Sequence, residues 1–357
     1  MTKRVAVLTG GGDAPGLNAV IRAIVRSAER EYNYEVIGFK DGFKGVIEDK
    51  VVFLSENDVS GILPKGGTIL GTTNRDNPFD FPVGNGRTED KSQECIDTIR
   101  KYADSLIVIG GDGTLSIGNK LYKMGLPVVG CPKTIDNDLR IKNSTTFGFD
   151  TAYAYATEAL DRLHSTAESH HRIVCLEVMG RNAGWIALHA GIAGGADVIL
   201  IPEIPFNYEK IIEKINERLS RNKKFSLIVV AEGAVPEGGN MIYQNQHSDD
   251  VPLRLGGIGN VIAQNLEKMT EREARAIVLG HLQRGGSPTA HDRILATRYG
   301  TAAMNLTAQE KYGNVVSLDN GMVVPVPLSE ATNGIKTVEK NNELVKTARS
   351  IGISFGD

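Results

Sequence analysis

The sequence predicts an α/β protein with two doubly wound lobes, mainly parallel sheets and an active site in the cleft between them. Short β-branched runs alternate with amphipathic stretches of helical period, as in successive βαβ units. Several runs are apolar at consecutive positions, which is typical of strands covered by helices on both faces. Glycine accounts for 40 of the 357 residues, and glycine turns occur where the backbone must approach phosphate closely.

Strands and helices are predicted in alternation along most of the chain. The strands are expected at 4–9, 34–39, 105–109, 127–131, 173–178, 197–201, 225–230 and 274–279. The helices are expected near 16–31, 91–102, 115–124, 150–168, 182–193, 207–221, 253–267 and 288–308. Pro132 should end the fourth strand, because proline cannot donate to a sheet ladder. The polar stretch 236–251 is predicted to be a long loop.

The composition argues against several classes of protein. A net charge of −3 provides no basic surface for nucleic acid, and no apolar run approaches the ~20 residues that span a membrane. The apolar core near the N-terminus is too short for a signal peptide. Cys95, Cys131 and Cys175 lack CxxC spacing, which argues against a zinc site or a disulfide framework and favours a cytoplasmic location.

Two glycine-rich loops are candidate phosphate sites. GGGDAPGLN at 10–18 follows the first strand and opens a helix, an arrangement whose N–H groups and dipole attract anions. GGDGT at 110–114 follows another predicted strand in a similar way. The carboxylate of Asp112 in this loop favours a divalent cation such as Mg²⁺, bound together with nucleotide phosphates. A tight turn without a ligand and an ordinary Asp-Gly turn are the alternatives.

The segment PKTIDND at 132–138 places an ammonium, a hydroxyl and two carboxylates directly after a strand. In open α/β sheets, ligands bind at this carboxyl edge. A carboxylate could accept the proton of an alcohol and the ammonium could offset phosphate charge, as phosphoryl transfer requires. An Asx-rich turn that caps the next helix is an alternative for the acids, and a solvated lysine is one for Lys133.

Five arginines are candidate phosphate ligands, because a guanidinium fork can bind phosphate oxygens, and two of the five stand beside glycines after predicted strands. They are Arg75, Arg172, Arg181, Arg275 and Arg284, the last preceded by His281 in GHLQRGG. A surface position is the alternative for any one of them. Glu232 ends an apolar strand, where its carboxylate could bind sugar hydroxyls or cap a helix.

Taken in order, six segments resemble the bacterial-type 6-phosphofructokinase family. They are GGGDAPGLN, GGDGT, PKTIDND, VMGR at 178–181, AEG at 231–233 and GHLQRGGSPTAHDR at 280–293. The resemblance runs nearly colinearly from about Arg4 to about Leu306. PKTIDND and GHLQRGG are specific to the family, whereas GGDGT also occurs in NAD kinases and diacylglycerol kinases. The family has two α/β lobes with the site between them, in agreement with the predicted fold.

The resemblance implies transfer of phosphate from ATP to the 1-hydroxyl of fructose 6-phosphate in glycolysis, with Mg²⁺ as cofactor. Asp136 would be the general base, with Thr134, Asp138, Arg75 and Arg181 as the other catalytic residues. Residues implied to bind ATP and its metal are Gly11, Gly12, Arg75, Asp76, Gly111, Asp112, Gly113 and Thr114, with Asp112 as the metal ligand. Residues implied to bind the sugar phosphate are Thr134, Ile135, Asp136, Arg172, Met179, Gly180, Arg181, Glu232, Arg275, His281, Leu282, Gln283 and Arg284.

The resemblance also implies an organisation of lobes and subunits. The larger lobe, which binds nucleotide and Mg²⁺, would comprise 1–147 and about 260–312. The smaller lobe, which binds sugar phosphate, would comprise about 148–259 and 313–357. Arg172 and Arg275 would reach across from a neighbouring subunit, which favours a homotetramer over a homodimer.

Two positions concern the phosphoryl donor. Lys133 replaces the glycine of the common ATP-dependent bacterial enzymes, and lysine is typical of pyrophosphate-dependent members and of one ATP-dependent subgroup. Gly113 is aspartate in most pyrophosphate users, and glycine leaves room for the α-phosphate of ATP. The pair favours ATP. Pyrophosphate is the alternative, and more remote ones are an NAD kinase and a non-catalytic sugar-phosphate sensor.

The resemblance further implies an allosteric enzyme. Arg22 and Arg26 match positions that bind effector nucleotide at a subunit interface. The Lys-Lys-His effector element of the family is Lys223-Lys224-Phe225 here, and loss of the imidazole weakens the expectation of the usual responses to ADP and phosphoenolpyruvate. The segment from about 320 to 357 has no assigned role.

Overall fold

The computed structural model of the chain describes residues 2–141, 145–243 and 255–357. It divides into two compact units, each assembled from separate stretches of sequence. The first unit comprises Met1–Ile135, Leu139–Asp150 and Arg284–Ile335. The second comprises Asp136–Asp138, Thr151–Gln283 and Lys336–Asp357.

Strands and helices alternate through most of both units. The strands are β1 (Arg4–Thr9), β2 (Glu35–Phe39), β3 (Val51–Leu54), β4 (Phe81–Gly84), β5 (Arg87–Glu89), β6 (Ser105–Gly110), β7 (Val128–Pro132), β8 (Ile173–Val178), β9 (Val198–Leu200), β10 (Ser226–Ala231), β11 (Ala274–Val278), β12 (Asn314–Asp319) and β13 (Met322–Pro327). The helices are α1 (Leu17–Ser27), α2 (Gly42–Ile47), α3 (Ser92–Tyr102), α4 (Asp112–Lys123), α5 (Phe149–His170), α6 (Trp185–Ala193), α7 (Tyr208–Ser220), α8 (Ile258–Thr270), α9 (Ala290–Ala308), α10 (Leu328–Ala331) and α11 (Glu343–Ser350). None of the helices in the described ranges combines the length and apolar character needed to span a bilayer.

Within the described residues, the first unit is built on a seven-stranded sheet in the order β13-β12-β7-β6-β1-β2-β3. Its central strands pair in parallel, and antiparallel pairs close both edges. Val5 and Val7 of β1 pack in one core cluster with residues of α1 and α9. Ala6 and Leu8 pack in another, with residues of α3 and α4. Both faces of the strand are therefore covered, which is why its sequence is continuously apolar.

The second unit contains, in the part of the chain that the structure describes, a four-stranded parallel sheet in the order β11-β8-β10-β9. Cys175 of β8 and Val230 of β10 share a core cluster with residues of α7 and α8. The predicted α/β class with mainly parallel sheets is confirmed. All eight predicted strands are present, and β7 ends at Pro132 as expected.

The unit boundaries differ from the expected lobes: Asp136–Asp138, expected in the larger lobe, belong to the second unit, and two pairs of elements also change units. β12 and β13, expected in the smaller lobe, lie in the first unit because β12 pairs with β7. α8 and β11 were expected mostly in the larger lobe, and they lie in the second unit because β11 pairs with β8. An alternating pattern identifies strands but does not say which strand each one pairs with. Strand pairing over a long sequence separation decided both cases.

Several elements were not predicted from the sequence: the short edge strand β3, the β4–β5 hairpin, the β12–β13 pair and helices α2, α10 and α11. Of these strands, β3 and β13 form the two edges of the seven-stranded sheet. Two predictions touch residues that the structure does not describe. The predicted helix start at 253–254 and residues 244–251 of the predicted long loop lie outside the described ranges.

The three cysteines lie buried as free thiols. Burial raises the pKa of Cys95 and of Cys175 to about 12, and it also raises the pKa of Cys131. Because the thiolate is the species that reacts, we expect iodoacetamide to leave the native protein unlabelled at pH 8. Mass spectrometry should find three labels after denaturation. Rapid labelling of a cysteine in the folded protein would contradict its buried position.

Candidate active site

The loop that follows β1 is held in place by main-chain hydrogen bonds. The N–H of Gly10 donates to Ile109 O (2.9 Å) and that of Gly11 to Thr73 O (2.9 Å). Gly11 has a φ of 80°, a conformation that favours glycine. Its N–H was expected to bind a donor phosphate, and the bond to Thr73 makes it part of the loop's internal bonding instead. The N–H of Gly12 makes no hydrogen bond within the described residues.

Thr114 brings the two glycine loops together. A Cβ on Gly10 would lie 2.6 Å from the Thr114 hydroxyl oxygen, and one on Gly110 would lie 2.3 Å from Thr114 Cβ. Both positions therefore need glycine, and the buried threonine fills the space between them. The pairing of β1 with β6 places the ends of these strands side by side. The two candidate phosphate loops therefore lie next to each other at the ends of neighbouring strands.

The N-terminus of α4 is open to solvent. Gly111 precedes the helix, and Asp112 and Gly113 are its first two residues, both exposed. A Cβ on Gly113 would meet no described atom within 4 Å. The helix dipole and the first N–H groups point into this space, which suits an anion.

Lys133 is buried beside the first glycine loop. The residue is only 5% exposed, and its ammonium donates a hydrogen bond to Gly12 O. The ammonium also lies 3.7 Å from the position that a Cβ on Gly11 would occupy. A solvated surface lysine is therefore excluded. The buried positive charge lies next to the loop expected to hold the donor phosphates.

Arg284 contacts the same loop from the other end of the sequence. A Cβ on Gly12 would lie 2.7 Å from Arg284 Nη1, so the guanidinium lies directly over this glycine. The sequence placed Arg284 with the sugar phosphate, whereas here it adds a second positive charge beside the glycine loop. Arg75 and Asp76 follow Thr72 and Thr73, and Thr72 donates to Gly11 O (2.7 Å). The Arg75 side chain is exposed.

PKTIDND is a buried polar segment at the end of β7. Thr134 and Ile135 belong to the first unit and Asp136–Asp138 to the second. Asp136 is 7% exposed, and Asn137 has a φ of 52°, in the left-handed region. The next helix, α5, starts only at Phe149, so the acids are not a cap of that helix.

In the second unit, the end of β8 turns sharply through Met179, Gly180 and Arg181. Gly180 has a φ of 138° and Arg181 one of 51°. Glu232 follows β10 and accepts the N–H of Arg181 (3.0 Å) through its carboxylate. Glu232 was expected to bind sugar hydroxyls, and at least one of its oxygens instead orients the arginine turn. The Arg181 side chain is exposed, while its main-chain N–H is bonded to Glu232.

Gln283 has a structural role that the sequence did not indicate. It was expected among the residues that touch the sugar phosphate, yet it is 1% exposed. Its amide oxygen accepts the N–H of Met179 (2.8 Å) and its amide nitrogen donates to Ala152 O (3.4 Å). The single 3₁₀ turn Gly280–Gln283 directs this side chain inward, while His281 and Leu282 are exposed.

Arg172 and Arg275 are close to each other because both bind the carboxylate of Glu273. Arg172 Nε donates to Glu273 (2.6 Å), and Arg275 also donates to Glu273. The hydrogen bond from Arg172 holds the pKa of Glu273 below its usual value. Nothing in the sequence singled out this glutamate. The two guanidiniums form one partly exposed basic patch beside the edge strand β11.

At the expected effector element, the side chain of Phe225 is packed against neighbouring residues. Phe225 stands where the related element has an imidazole, and its ring lies between His164 and Arg218. The ring centroids of Phe225 and His164 are 6.0 Å apart, and the Arg218 guanidinium lies 5.3 Å from the Phe225 ring. Burial and the neighbouring Arg26 lower the pKa of Arg22.

Among residues 2–141, 145–243 and 255–357, no cluster of three or more His, Cys, Asp or Glu side chains is arranged to hold a metal ion. Mg²⁺ is usually held by one or two carboxylates together with substrate phosphates and water. An exposed carboxylate at the start of α4, beside two glycine loops, fits that kind of site. Asp112 is this carboxylate.

The chain is similar to known proteins over nearly its whole length. The family model described as phosphofructokinase matches residues 4–307. The chain is 52% identical to ATP-dependent 6-phosphofructokinase 2 of Clostridium perfringens over 99% of both chains. It is 47% identical to pyrophosphate–fructose 6-phosphate 1-phosphotransferase of Streptomyces coelicolor, over 99% of this chain and 100% of that one.

A solved structure has the same fold. Pichia pastoris phosphofructokinase in the T-state is similar with a TM-score of 0.78 and 30% identity over 93% of this chain. The chain spans 35% of the length of that yeast protein. Since relatives named for either phosphoryl donor share about half of their residues with this chain, the donor has to be argued from individual positions.

Proposed function

This chain belongs to the phosphofructokinase family, and from that membership we propose that it transfers a phosphoryl group from ATP to the 1-hydroxyl of fructose 6-phosphate. The products are fructose 1,6-bisphosphate and ADP, and the reaction is a step of glycolysis in the cytoplasm. The observation that carries the proposal is the convergence of two glycine loops at Thr114, with the Lys133 ammonium against Gly12. Main-chain N–H groups, a helix N-terminus and fixed positive charge together make a site for polyphosphate.

In this proposal the first unit binds the donor. Gly12, Gly111, Gly113 and Thr114 approach the phosphates through the backbone, because side chains at the glycines would occupy that space. Lys133 and Arg284 supply positive charge beside the first loop, and Arg75 extends toward solvent from the segment bonded to Gly11. Asp112 would hold Mg²⁺, which when bound offsets the charge of the donor phosphates.

The second unit supplies the groups that act on the sugar phosphate. Asp136 accepts the proton of the 1-hydroxyl as that oxygen attacks the terminal phosphorus, and Asp138 lies two residues further on. Arg181 balances the charge of the transferred group, and its position depends on the bond from its N–H to Glu232. Most of the catalytic effect then comes from positioning and charge neutralisation, as is usual for phosphoryl transfer.

The exposed start of α4 supports ATP over pyrophosphate. Open space at Gly113 leaves room for the α-phosphate that ATP has and pyrophosphate lacks. We expect initial rates with fructose 6-phosphate and Mg²⁺ to be much higher with ATP than with pyrophosphate. The coupled assay that detects fructose 1,6-bisphosphate measures both donors in the same way. A higher kcat/KM with pyrophosphate would overturn the choice of donor but not the acceptor.

We also propose that the enzyme is a homo-oligomer in which Arg172 and Arg275 serve a neighbouring subunit. Glu273 holds both guanidiniums in one patch, and both arginine side chains are partly exposed there. A tetramer is favoured over a dimer. Sedimentation of the wild type and of Arg275→Ala, together with the KM for fructose 6-phosphate, tests whether this patch acts in assembly, in binding or in both.

A further inference from the structure

The chain near residue 336 is bonded directly to the segment that carries the proposed base. The main-chain N–H of Lys336 donates to the carbonyl oxygen of Asp138, with a distance of 2.7 Å. Asp138 lies two residues after Asp136. We refer to residues 336–338 as the C-terminal strap. The sequence assigned no role to this part of the chain.

The strap is anchored first to Trp185, the residue that begins α6. The indole nitrogen donates to the carbonyl oxygen of Lys336 (2.9 Å). The ammonium of Lys336 lies 5.0 Å from the centroid of the indole ring, within the range of a cation–π contact. Trp185 is 7% exposed, so the donor and the ring are both fixed by packing. Lys336 is therefore held through its carbonyl and its side chain, and its N–H binds Asp138.

The second anchor of the strap is Glu203, which follows β9. Its carboxylate accepts the N–H of Val338 (2.7 Å) and the N–H of Gly184 (3.0 and 3.2 Å). Burial raises the pKa of Glu203, and these backbone bonds oppose that shift. One carboxylate thus joins the strap to the first turn of α6. Val338 itself is buried in the second unit.

The segment that the strap holds has a conformation that requires support. Asn137, between the two aspartates, is in the left-handed region. Asparagine tolerates this region better than most residues, but such conformations persist mainly where surrounding contacts enforce them. A hydrogen bond at Asp138 constrains the backbone on one side of this residue. The direction of the Asp136 carboxylate depends on the same turn.

We propose that the C-terminal strap is a positioning element for phosphoryl transfer, which holds the Asp136–Asp138 turn in its reactive geometry through the Lys336–Asp138 main-chain bond. The inference rests on the proposed function, since Asp136 is the base of that reaction. Lys336, Trp185 and Glu203 are positioning residues and do not touch the reacting atoms. Loss of these positioning contacts should lower kcat. A small displacement of the catalytic carboxylate slows the chemical step, whereas the contacts that bind the substrates remain.

The test compares two proline variants of the same segment. Lys336→Pro removes the N–H that binds Asp138. Lys340→Pro is the matched control, because Lys340 occupies the second position of the turn closed by Asn342 N–H to Glu339 O (2.9 Å), where proline is favoured. We expect Lys336→Pro to lower kcat about tenfold or more, with the KM for ATP little changed, while Lys340→Pro retains the wild-type kcat. Lys336→Ala keeps the N–H but loses the cation–π contact, so its kcat should fall clearly less than that of Lys336→Pro.

A second readout does not depend on turnover. Trp185 is the one tryptophan of the chain, so its emission reports the strap directly. Lys336→Pro should shift the emission to longer wavelength, and Lys340→Pro should not. If Lys336→Pro does not fold, Trp185→Phe decides the matter, since phenylalanine keeps a ring but cannot donate to Lys336 O, and its kcat should fall.

The outcomes separate this inference from the proposed function. A wild-type protein inactive with both donors would refute the proposed function itself. An active wild type, with Lys336→Pro equal to Lys340→Pro in kcat and emission, would refute the strap alone. A fall in kcat as large in Lys336→Ala as in Lys336→Pro would also refute it, because the main-chain bond would then not be the cause. A lower melting temperature with unchanged kcat would mean that the strap only stabilises the fold.

Discussion

Asp136→Asn is expected to lower kcat by about 10² to 10⁴, the usual contribution of a general base. Asparagine has the same shape as aspartate, but its amide cannot accept the proton of the sugar 1-hydroxyl. Asp136 is buried at the end of β7 in a backbone turn with Asn137 in the left-handed region, so the carboxylate has a fixed direction. The KM for fructose 6-phosphate should change little. Steady-state kinetics with both substrates varied measure these constants.

The control for this experiment is Asp161→Asn, the same substitution at an exposed position of α5. It should have the kcat of the wild type. Thermal melting followed by circular dichroism shows whether Asp136→Asn is folded, so that a loss of rate is not a loss of protein. A folded Asp136→Asn enzyme with full turnover would exclude Asp136 as the base, and the acceptor site would have to be sought elsewhere.

Gly113→Asp should lower kcat/KM for ATP by about 10²-fold or more, because like charges brought together cost several kcal/mol. Gly113 is the second residue of α4, and a Cβ there would meet open space. The new carboxylate would extend into the space that the α-phosphate of ATP needs. Any activity with pyrophosphate should decline less, so the preference between donors should narrow or reverse.

The folded state should tolerate this change well. An aspartate in the first turn of a helix interacts favourably with the dipole, by about 0.3–1 kcal/mol, and replacing glycine removes some backbone freedom from the unfolded chain. The melting temperature should therefore stay equal or rise. Gly113→Ala is the matched control, since it adds a Cβ without charge and should lose much less ATP activity. Equal ATP kinetics for Gly113→Asp and wild type would show that residue 113 does not face the nucleotide.

Much of the first unit could be predicted from local sequence. A continuously apolar run followed by glycines defines both β1 and β6 with their loops, because strand burial and sharp turns each depend on a few adjacent residues. The helix after β6 was predicted as well, near 115–124, whereas it begins at Asp112. The sequence also marked Lys133 as a candidate, but it left open whether the side chain was solvated. Only the bond to Gly12, which is 121 residues away in sequence, answered that question.

For other parts of the candidate site, the sequence did not indicate which partners the polar side chains bind. Glu232 and Gln283 had the polarity expected of ligand-binding residues, yet each holds a main-chain N–H of the Met179–Arg181 turn. Glu273 and Glu203 were not marked at all, since an isolated glutamate in sequence is most often solvated. Their partners come from distant segments. A side chain's type states what bonds it can make, and its neighbours in space decide which of them it makes.

The sequence by itself determined the α/β class and marked the two glycine loops and PKTIDND as candidate sites, since each depends on residue types at short spacing. The tertiary structure alone decided which strands pair at the sheet edges, which polar groups face inward, and how residues 336–338 are bonded to Asp138 and Trp185. The physical reason is that every non-proline residue presents the same main-chain N–H and carbonyl groups. Hydrogen bonds between them leave no mark in the sequence, and only packing of the whole chain brings a particular pair together.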